Sequence, residues 1–159
     1  MPPRFFLGAA DTPMDPPKGW HPHSLAAKAA AGARFIQTQF CFDLDVLRRW
    51  AHVVVEEGIA EKLFILVGLG PLASAKGARW MRDNLYGTLV PDETIVRLEK
   101  AADPGKEGFA IVVELIREMS EIPGISGVHL MAPRRPELLP DLIDAAEIIG
   151  RRSPGAPPR

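Results

Sequence analysis

Four short apolar runs, separated by amphipathic segments, constrain the fold of this chain more than any other feature. Each run is too short for a packed helix and ends at a turn-forming residue, which is typical of a buried strand. The runs are RFFLGAA (Arg4–Ala10), RFIQTQF (Arg34–Phe40), LFILVGLG (Leu63–Gly70) and GVHLMA (Gly127–Ala132). Strands of this kind that alternate with helices predict a parallel sheet with right-handed crossovers.

The segments between and after these runs carry the signals of six helices. HPHSLAAKAAAG is rich in alanine and ends at Gly32, a suitable C-cap. Ser74 is a typical N-cap for the third helix, and Pro140 must lie in the first turn of the last helix or kink it. In the second helix an apolar stripe predicts the buried face: Leu44, Leu47, Trp50, Ala51, Val54 and Val55.

The resulting order, β-α-β-α-β-α(αα)-β-α, predicts an α/β fold made of parallel (βα) units of the TIM-barrel type. A closed barrel has eight such units, so about four of eight would form a half-barrel or a small open sheet. We assign residues 1–150 to this half-barrel and residues 151–159, RRSPGAPPR, to a disordered tail. Since the first run begins at residue 4, we expect no unit before it.

Composition excludes several classes of protein. The chain has 159 residues, enough for one domain with a core, and a net charge of -1, which offers no basic field for nucleic acid. Its only cysteine, Cys41, excludes an internal disulfide and favours a reducing compartment. The start MPPRFF lacks the features of a signal peptide, and no apolar run is long enough to cross a membrane. We therefore expect a soluble, cytoplasmic protein.

The carboxyl ends of the predicted strands are the places to look for chemistry, because ligands of parallel α/β folds bind there. Gln39 offers two donors and an acceptor to the edge of a planar heterocycle, unless it is a core amide satisfied by backbone. We expect Thr38 and Gln39 at the ligand-facing end and Gln37 on the other side. Gly68 and Gly70 permit close approach of a ligand to the backbone, or they only form a tight strand exit.

Other polar residues have weaker claims to a function. His129 lies within a strand, where a histidine is more often a core residue than a catalyst, and Cys41 fits a small buried hydrophobe. His21 and His23 have no third ligand at metal spacing, so we predict no metal site. GLGP is not completed to a phosphate loop, and no nucleophile elbow is present. The residues alone predict a ligand-binding βα half-barrel.

Several motifs resemble those of the methylenetetrahydrofolate reductases. LAAKAAAGARFIQTQFCFD (Leu25–Asp43) is similar to that family's L-x-x-K-x-x-A-G-A-x-x-x-x-T-Q-x-x-F-D run. LGAADTP, LFILVGLGPLASAKGARWM, the helical unit LVPDETIVRLEKAAD…GFAIVVELI and GVHLMAPRR resemble further family segments in the right order. The resemblance covers the chain to about residue 150.

The resemblance implies an eight-stranded βα barrel with FAD across its carboxyl face. NAD(P)H reduces the flavin, which then reduces 5,10-methylenetetrahydrofolate to 5-methyltetrahydrofolate. By this resemblance Gln39 pairs with the pterin ring and Arg135 contacts the folate, while Lys28 meets the flavin nucleotide's phosphates and Ser24 is a polar flavin contact.

The chain also departs from the family pattern. Ala27 and Gly77 replace an arginine and a glutamine that many members carry, and no tyrosine follows Ala10. The family's acid and the carboxylate beside the flavin belong to earlier strands; Asp11 is at a strand end, but its spacing does not match either, so we assign no catalytic residue. We expect the carboxyl-terminal half of the barrel, which needs an N-terminal half-barrel chain or a homo-oligomer to complete it. The alternative is a non-catalytic half-barrel that binds folate, flavin or a partner; a flavodoxin-like domain fits less well, since no glycine-rich turn opens the first helix.

Overall fold

A computed structural model describes residues 5–132 and 135–147, and its strands form one four-stranded parallel sheet. The strands are paired in chain order, β1-β2-β3-β4, with a helix after each one. This is the progressive order of a βα barrel, so the predicted α/β half-barrel is confirmed. The strand bounds are Gly8–Asp11 for β1, Phe35–Phe40 for β2, Phe64–Leu69 for β3 and Gly127–Leu130 for β4.

Six α-helices connect and follow these strands in the described residues. Their bounds are His23–Ala30 for α1, Leu44–Glu56 for α2, Ala75–Asn84 for α3, Asp92–Lys100 for α4, Pro104–Met119 for α5 and Leu139–Ala146 for α6. α1 and α2 form the first two crossovers, and α3, α4 and α5 together form the third. A short 3-10 turn at Pro136–Leu138 precedes α6.

The predicted helix ends agree with the structure. The Ser74 hydroxyl accepts a hydrogen bond from the Gly77 amide at 3.1 Å, and Pro140 lies in the first turn of α6. Gly32 adopts a φ of +99° just after α1, a conformation that glycine adopts without strain. The stripe of α2 is wrong at one residue, because Val55 is 39% exposed whereas Trp50 and Val54 are buried.

The sheet buries one of its faces more completely than the other. Ile36, Ile65 and Val67 are fully buried in the core with the helices, and the alternate residues Phe35 and Leu66 are only half-buried. Successive strand residues point to opposite faces, so the helices cover one side of the sheet and the other side is more open. A parallel sheet is normally covered on both faces.

β1 is shorter than its sequence suggests. Phe5, Phe6 and Leu7 are exposed and precede the strand, which instead continues to Asp11. Phe6 stacks on Phe35 with ring centroids 5.5 Å apart, so part of this apolar run packs on the open face. The run's first residue, Arg4, and the tail 151–159 lie outside the described residues.

In the described ranges, no helix is long and apolar enough to cross a membrane.

Candidate functional site at the carboxyl edge of the sheet

The carboxyl end of β2 contains an irregularity that determines where its polar side chains lie. Gln37 pairs with Leu66, but the next pairing joins Phe40 to Gly68, so β2 uses one more residue than β3 between these points. An extra residue of this kind is a β-bulge, a feature often found at the rims of barrels and beside active sites. The bulge contains Thr38 and Gln39.

Thr38 is a structural residue of this bulge. Its hydroxyl accepts a hydrogen bond from the Gly68 amide at 2.9 Å and donates one to the Gln39 carbonyl at 2.8 Å. The side chain is buried, whereas Gln37 and Gln39 are both half-buried. The expectation that Thr38 accompanies Gln39 and that Gln37 lies on the other side is therefore wrong. Thr38 is buried like Ile36, and it supplies a hydrogen bond that the interrupted ladder lacks, whereas Gln37 shares the half-buried character of Gln39.

The two glycines of β3 and its exit make room for neighbouring backbone. A Cβ on Gly68 would lie 2.5 Å from the Thr38 carbonyl oxygen, and one on Gly70 would lie 2.4 Å from the Met131 carbonyl oxygen. Both distances are far below normal contact, so no larger residue fits without movement of the backbone. The structure favours the tight-exit reading of these glycines over direct approach of a ligand.

Gln39 keeps only part of its hydrogen-bonding capacity available. Its Oε1 accepts a hydrogen bond from the Phe40 amide at 3.0 Å, whereas its Nε2 makes no hydrogen bond with the described residues. The side chain therefore offers two N–H donors at the carboxyl edge. Bidentate pairing with a heterocycle requires the carboxamide to rotate away from its own backbone.

Lys28 and Ser24 lie on α1, four residues apart and hence on one face of the helix. Lys28 donates to the Ala10 carbonyl at 2.7 Å and to Asp11 Oδ2 at 2.8 Å, so its ammonium lies against the end of β1. Ser24 is exposed in the first turn. The sequence does not predict the ion pair between Lys28 and Asp11, because the two residues are 17 positions apart. In the sequence, Asp11 was only a carboxylate at a strand end whose spacing matched no family motif.

The donors on α1 fit the phosphates of a flavin dinucleotide in kind. The helix has no side-chain N-cap and no acidic residue in its first turn. Its first amide, that of His23, donates to the His21 carbonyl at 2.8 Å, so in the described part of the chain the next two amides, those of Ser24 and Leu25, are the ones left for an anion. The Ser24 hydroxyl adds a donor, and Lys28 adds the positive charge. Asp11, which pairs with Lys28, opposes an anion at this position.

Arg135 follows β4 and is exposed at the start of the 3-10 turn. Its guanidinium donates a hydrogen bond to the carboxylate of Glu137, which lowers the pKa of that carboxyl below its usual value. The Arg135 side chain thus lies after the last strand and is 58% exposed.

His129 and Cys41 show how the neighbouring polar atoms are used. Val128 and Leu130 pack towards the core, so His129 between them points to the open face, and its Nδ1 is buried without a hydrogen-bond partner in the described part of the chain. Cys41 is fully buried, and burial raises the pKa of its thiol to about 12, as expected of an inert hydrophobe. Residues 5–132 and 135–147 contain no group of three or more side chains arranged to hold a metal ion.

Comparison with known proteins identifies the family. A sequence model of the family described as methylenetetrahydrofolate reductase matches residues 13–147, which includes three of the four strands and all six helices. A search of curated proteins found no match. Because the match covers most of the chain and agrees with the half-barrel and its order of elements, this protein belongs to the methylenetetrahydrofolate reductase family.

Proposed function

We propose that this chain forms the folate-binding and cofactor-binding half of a methylenetetrahydrofolate reductase barrel. The reaction is the transfer of hydride from NAD(P)H through FAD to 5,10-methylenetetrahydrofolate, which gives 5-methyltetrahydrofolate for one-carbon metabolism and methionine biosynthesis. The observation that carries the proposal is the position of Gln39 in the bulge at the carboxyl end of β2, within a chain of this family.

Gln39 holds the pterin ring in this proposal. Its free Nε2 can donate to a ring nitrogen or carbonyl oxygen, and Oε1 becomes a second contact when it leaves the Phe40 amide. The bulge supports this function, because the Thr38 hydroxyl fixes the backbone from which Gln39 projects. A rigid backbone reduces the entropy lost when the ligand is bound.

Arg135 binds the acidic end of the same folate. An exposed guanidinium pairs readily with a carboxylate, and the glutamate moiety of folate carries two. Glu137 occupies the guanidinium in the structure and has to share it with the ligand.

The flavin phosphates lie along the face of α1 that carries Ser24 in its first turn and Lys28 in its last turn. When bound there, FAD would supply the hydride carrier between NAD(P)H and the folate. We assign no residue of this chain to proton transfer, and we expect the acid to come from the strands that complete the barrel. The reducing cytoplasm is the expected compartment, in agreement with the single buried thiol.

Completion of the barrel requires four more strands, from an N-terminal half-barrel or from a second copy of this chain. The more open face of the sheet and the exposed Phe5 and Phe6 provide apolar surface for that contact. The same surface favours a second candidate function, a non-catalytic half-barrel that binds folate or flavin and docks on a partner. Both candidate functions predict ligand binding, but only the reductase predicts turnover.

Titration with 5-methyltetrahydrofolate tests the assignment of Gln39. We expect Gln39→Ala to weaken binding by about 1–3 kcal/mol, or roughly 5- to 150-fold, because a ring edge loses its partner. Gln37→Ala is the matched control, since it removes another half-buried amide two residues earlier on the same strand and should leave the affinity unchanged. Equal affinities of the wild type and Gln39→Ala would show that folate is held elsewhere.

A further inference from the structure

The ammonium of Lys28 is already neutralised within the fold. It contacts Asp11 Oδ2 at 2.8 Å and the Ala10 carbonyl at 2.7 Å, and both partners belong to the end of β1. The other carboxylate oxygen, Oδ1, accepts a hydrogen bond from the Thr12 amide at 2.8 Å. The carboxylate is thus held on both oxygens and cannot swing away from Lys28 without the loss of two hydrogen bonds.

The pair is accessible but is not a freely solvated surface pair. The side chains of Lys28 and Asp11 are 29% and 16% exposed. A phosphate oxygen that bonds to the same ammonium therefore comes close to the Asp11 carboxylate, in a setting where water screens the repulsion only in part. Ala27, the preceding residue, supplies no second cation to compensate.

We propose that Asp11 determines the affinity of this site for the phosphates of a dinucleotide by competing with them for Lys28. The inference rests on the proposed function, since it assumes that the flavin phosphates bind at α1. Asp11 is a specificity-determining residue in this account: it disfavours ligands that bring a pyrophosphate and has no effect on the same ring system without phosphates.

A purely structural ion pair predicts the opposite result. If Asp11 only fastened α1 to β1, its removal would loosen α1 and weaken every ligand that touches this helix. If Asp11 competes with phosphate, its removal frees Lys28 and strengthens the binding of phosphate ligands alone. The sign of the change in affinity therefore separates the two roles.

The experiment compares FAD with riboflavin, which lacks phosphates, by quenching of flavin fluorescence on the full chain, alone and with a complementary N-terminal half-barrel. For Asp11→Asn we expect the dissociation constant for FAD to fall on the order of tenfold, while that for riboflavin stays the same. Asp11→Glu should behave as the wild type, and Lys28→Gln added to Asp11→Asn should abolish the gain. Asp11→Ser, which retains an acceptor for the Thr12 amide, replaces Asp11→Asn if the latter fails to fold.

The other possible results contradict either the competition by Asp11 or the flavin site itself. Suppose that the wild type binds FAD, that Lys28→Gln loses it, and that Asp11→Asn binds it equally or more weakly. This result overturns the competition by Asp11 but supports the flavin site itself. A parallel gain for riboflavin also overturns it, since the effect then does not depend on phosphate. Failure of all variants to bind either flavin, in both forms, overturns the flavin part of the proposed function and this inference with it.

Discussion

The hydroxyl of Thr38 is the contact on which the geometry of the candidate site most depends. In Thr38→Val the Gly68 amide loses its acceptor in a buried position, which costs about 1–3 kcal/mol. The hydrogen bond to the Gln39 carbonyl is lost as well, with a net cost of about 0.5–1.5 kcal/mol. Valine has nearly the shape of threonine, so no cavity term is added, and the free energy of unfolding should fall by about 1.5–4.5 kcal/mol.

Thr38→Ser is the matched control, because it keeps both hydrogen bonds and loses one methyl group, worth about 1 kcal/mol. Urea denaturation of the three proteins gives the comparison directly. Serine should be the milder substitution, although valine is the more apolar side chain. If Thr38→Val were as stable as Thr38→Ser or more stable, the hydroxyl would not stabilise the bulge, and the bulge could not be invoked to position Gln39.

Three further predictions concern packing, pH and reactivity. Gly108→Ala should lower the free energy of unfolding by at least about 1–3 kcal/mol, because the added Cβ would lie 1.7 Å from the Leu72 carbonyl oxygen. Gly105→Ala is the control: its Cβ would lie 3.4 Å from the nearest atom, so it should be neutral or slightly stabilising. Urea denaturation measures both. Hydrogen bonds from Arg97 lower the pKa of Glu114, so this pair stabilises the fold above the unfolded pKa of about 4.3, and the gain disappears as the pH falls through the folded pKa. Because the pair is largely exposed, Glu114→Gln should reduce the free energy of unfolding at pH 7 by less than about 1 kcal/mol, and it should have no effect near pH 2. An equal loss at both pH values would contradict this. The Cys41 thiol should resist a disulfide reagent at pH 8 until the protein is unfolded, and fast labelling of the native protein would refute its burial.

The sequence predicted the elements of this fold well because their signals are local. Apolar runs of strand length, a serine before α3 and a glycine after α1 each act within a few residues. The structure has a strand within or overlapping each run, the serine at the N-cap and the glycine just after the helix. The parallel arrangement followed from the alternation of strands with helices, which leaves few alternatives to a parallel sheet.

The details that failed depend on contacts distant in sequence. Strict alternation along β2 could not indicate the bulge, which exists because the Gly68 amide reaches the hydroxyl of Thr38 thirty residues earlier. The apolar run at the amino end was assigned to β1 from residue 4, yet Phe5 and Phe6 lie outside it, since an edge strand has a partner on one side only. The apolar character of Val55 indicated burial, but the core does not extend over its side of α2.

The candidate site shows the same division. The type and position of Gln39, Arg135 and Lys28 came from the sequence, but what each one contacts did not. Asp11 engages Lys28, and Glu137 engages Arg135, through contacts that only the folded chain reveals. Each carboxylate thus already engages a cation that the sequence offered to a ligand.

Folate-dependent turnover by the completed barrel is the decisive assay of the proposed reductase function. The chain is co-expressed with the first four βα units of a family member, and oxidation of NAD(P)H is measured with and without 5,10-methylenetetrahydrofolate, together with the 5-methyltetrahydrofolate formed. The account predicts a flavin-containing complex whose oxidation of NAD(P)H with the folate yields one 5-methyltetrahydrofolate per NAD(P)H, and which loses folate affinity in Gln39→Ala. A stable complex that forms no 5-methyltetrahydrofolate would contradict it and leave the non-catalytic binding module as the function of this half-barrel.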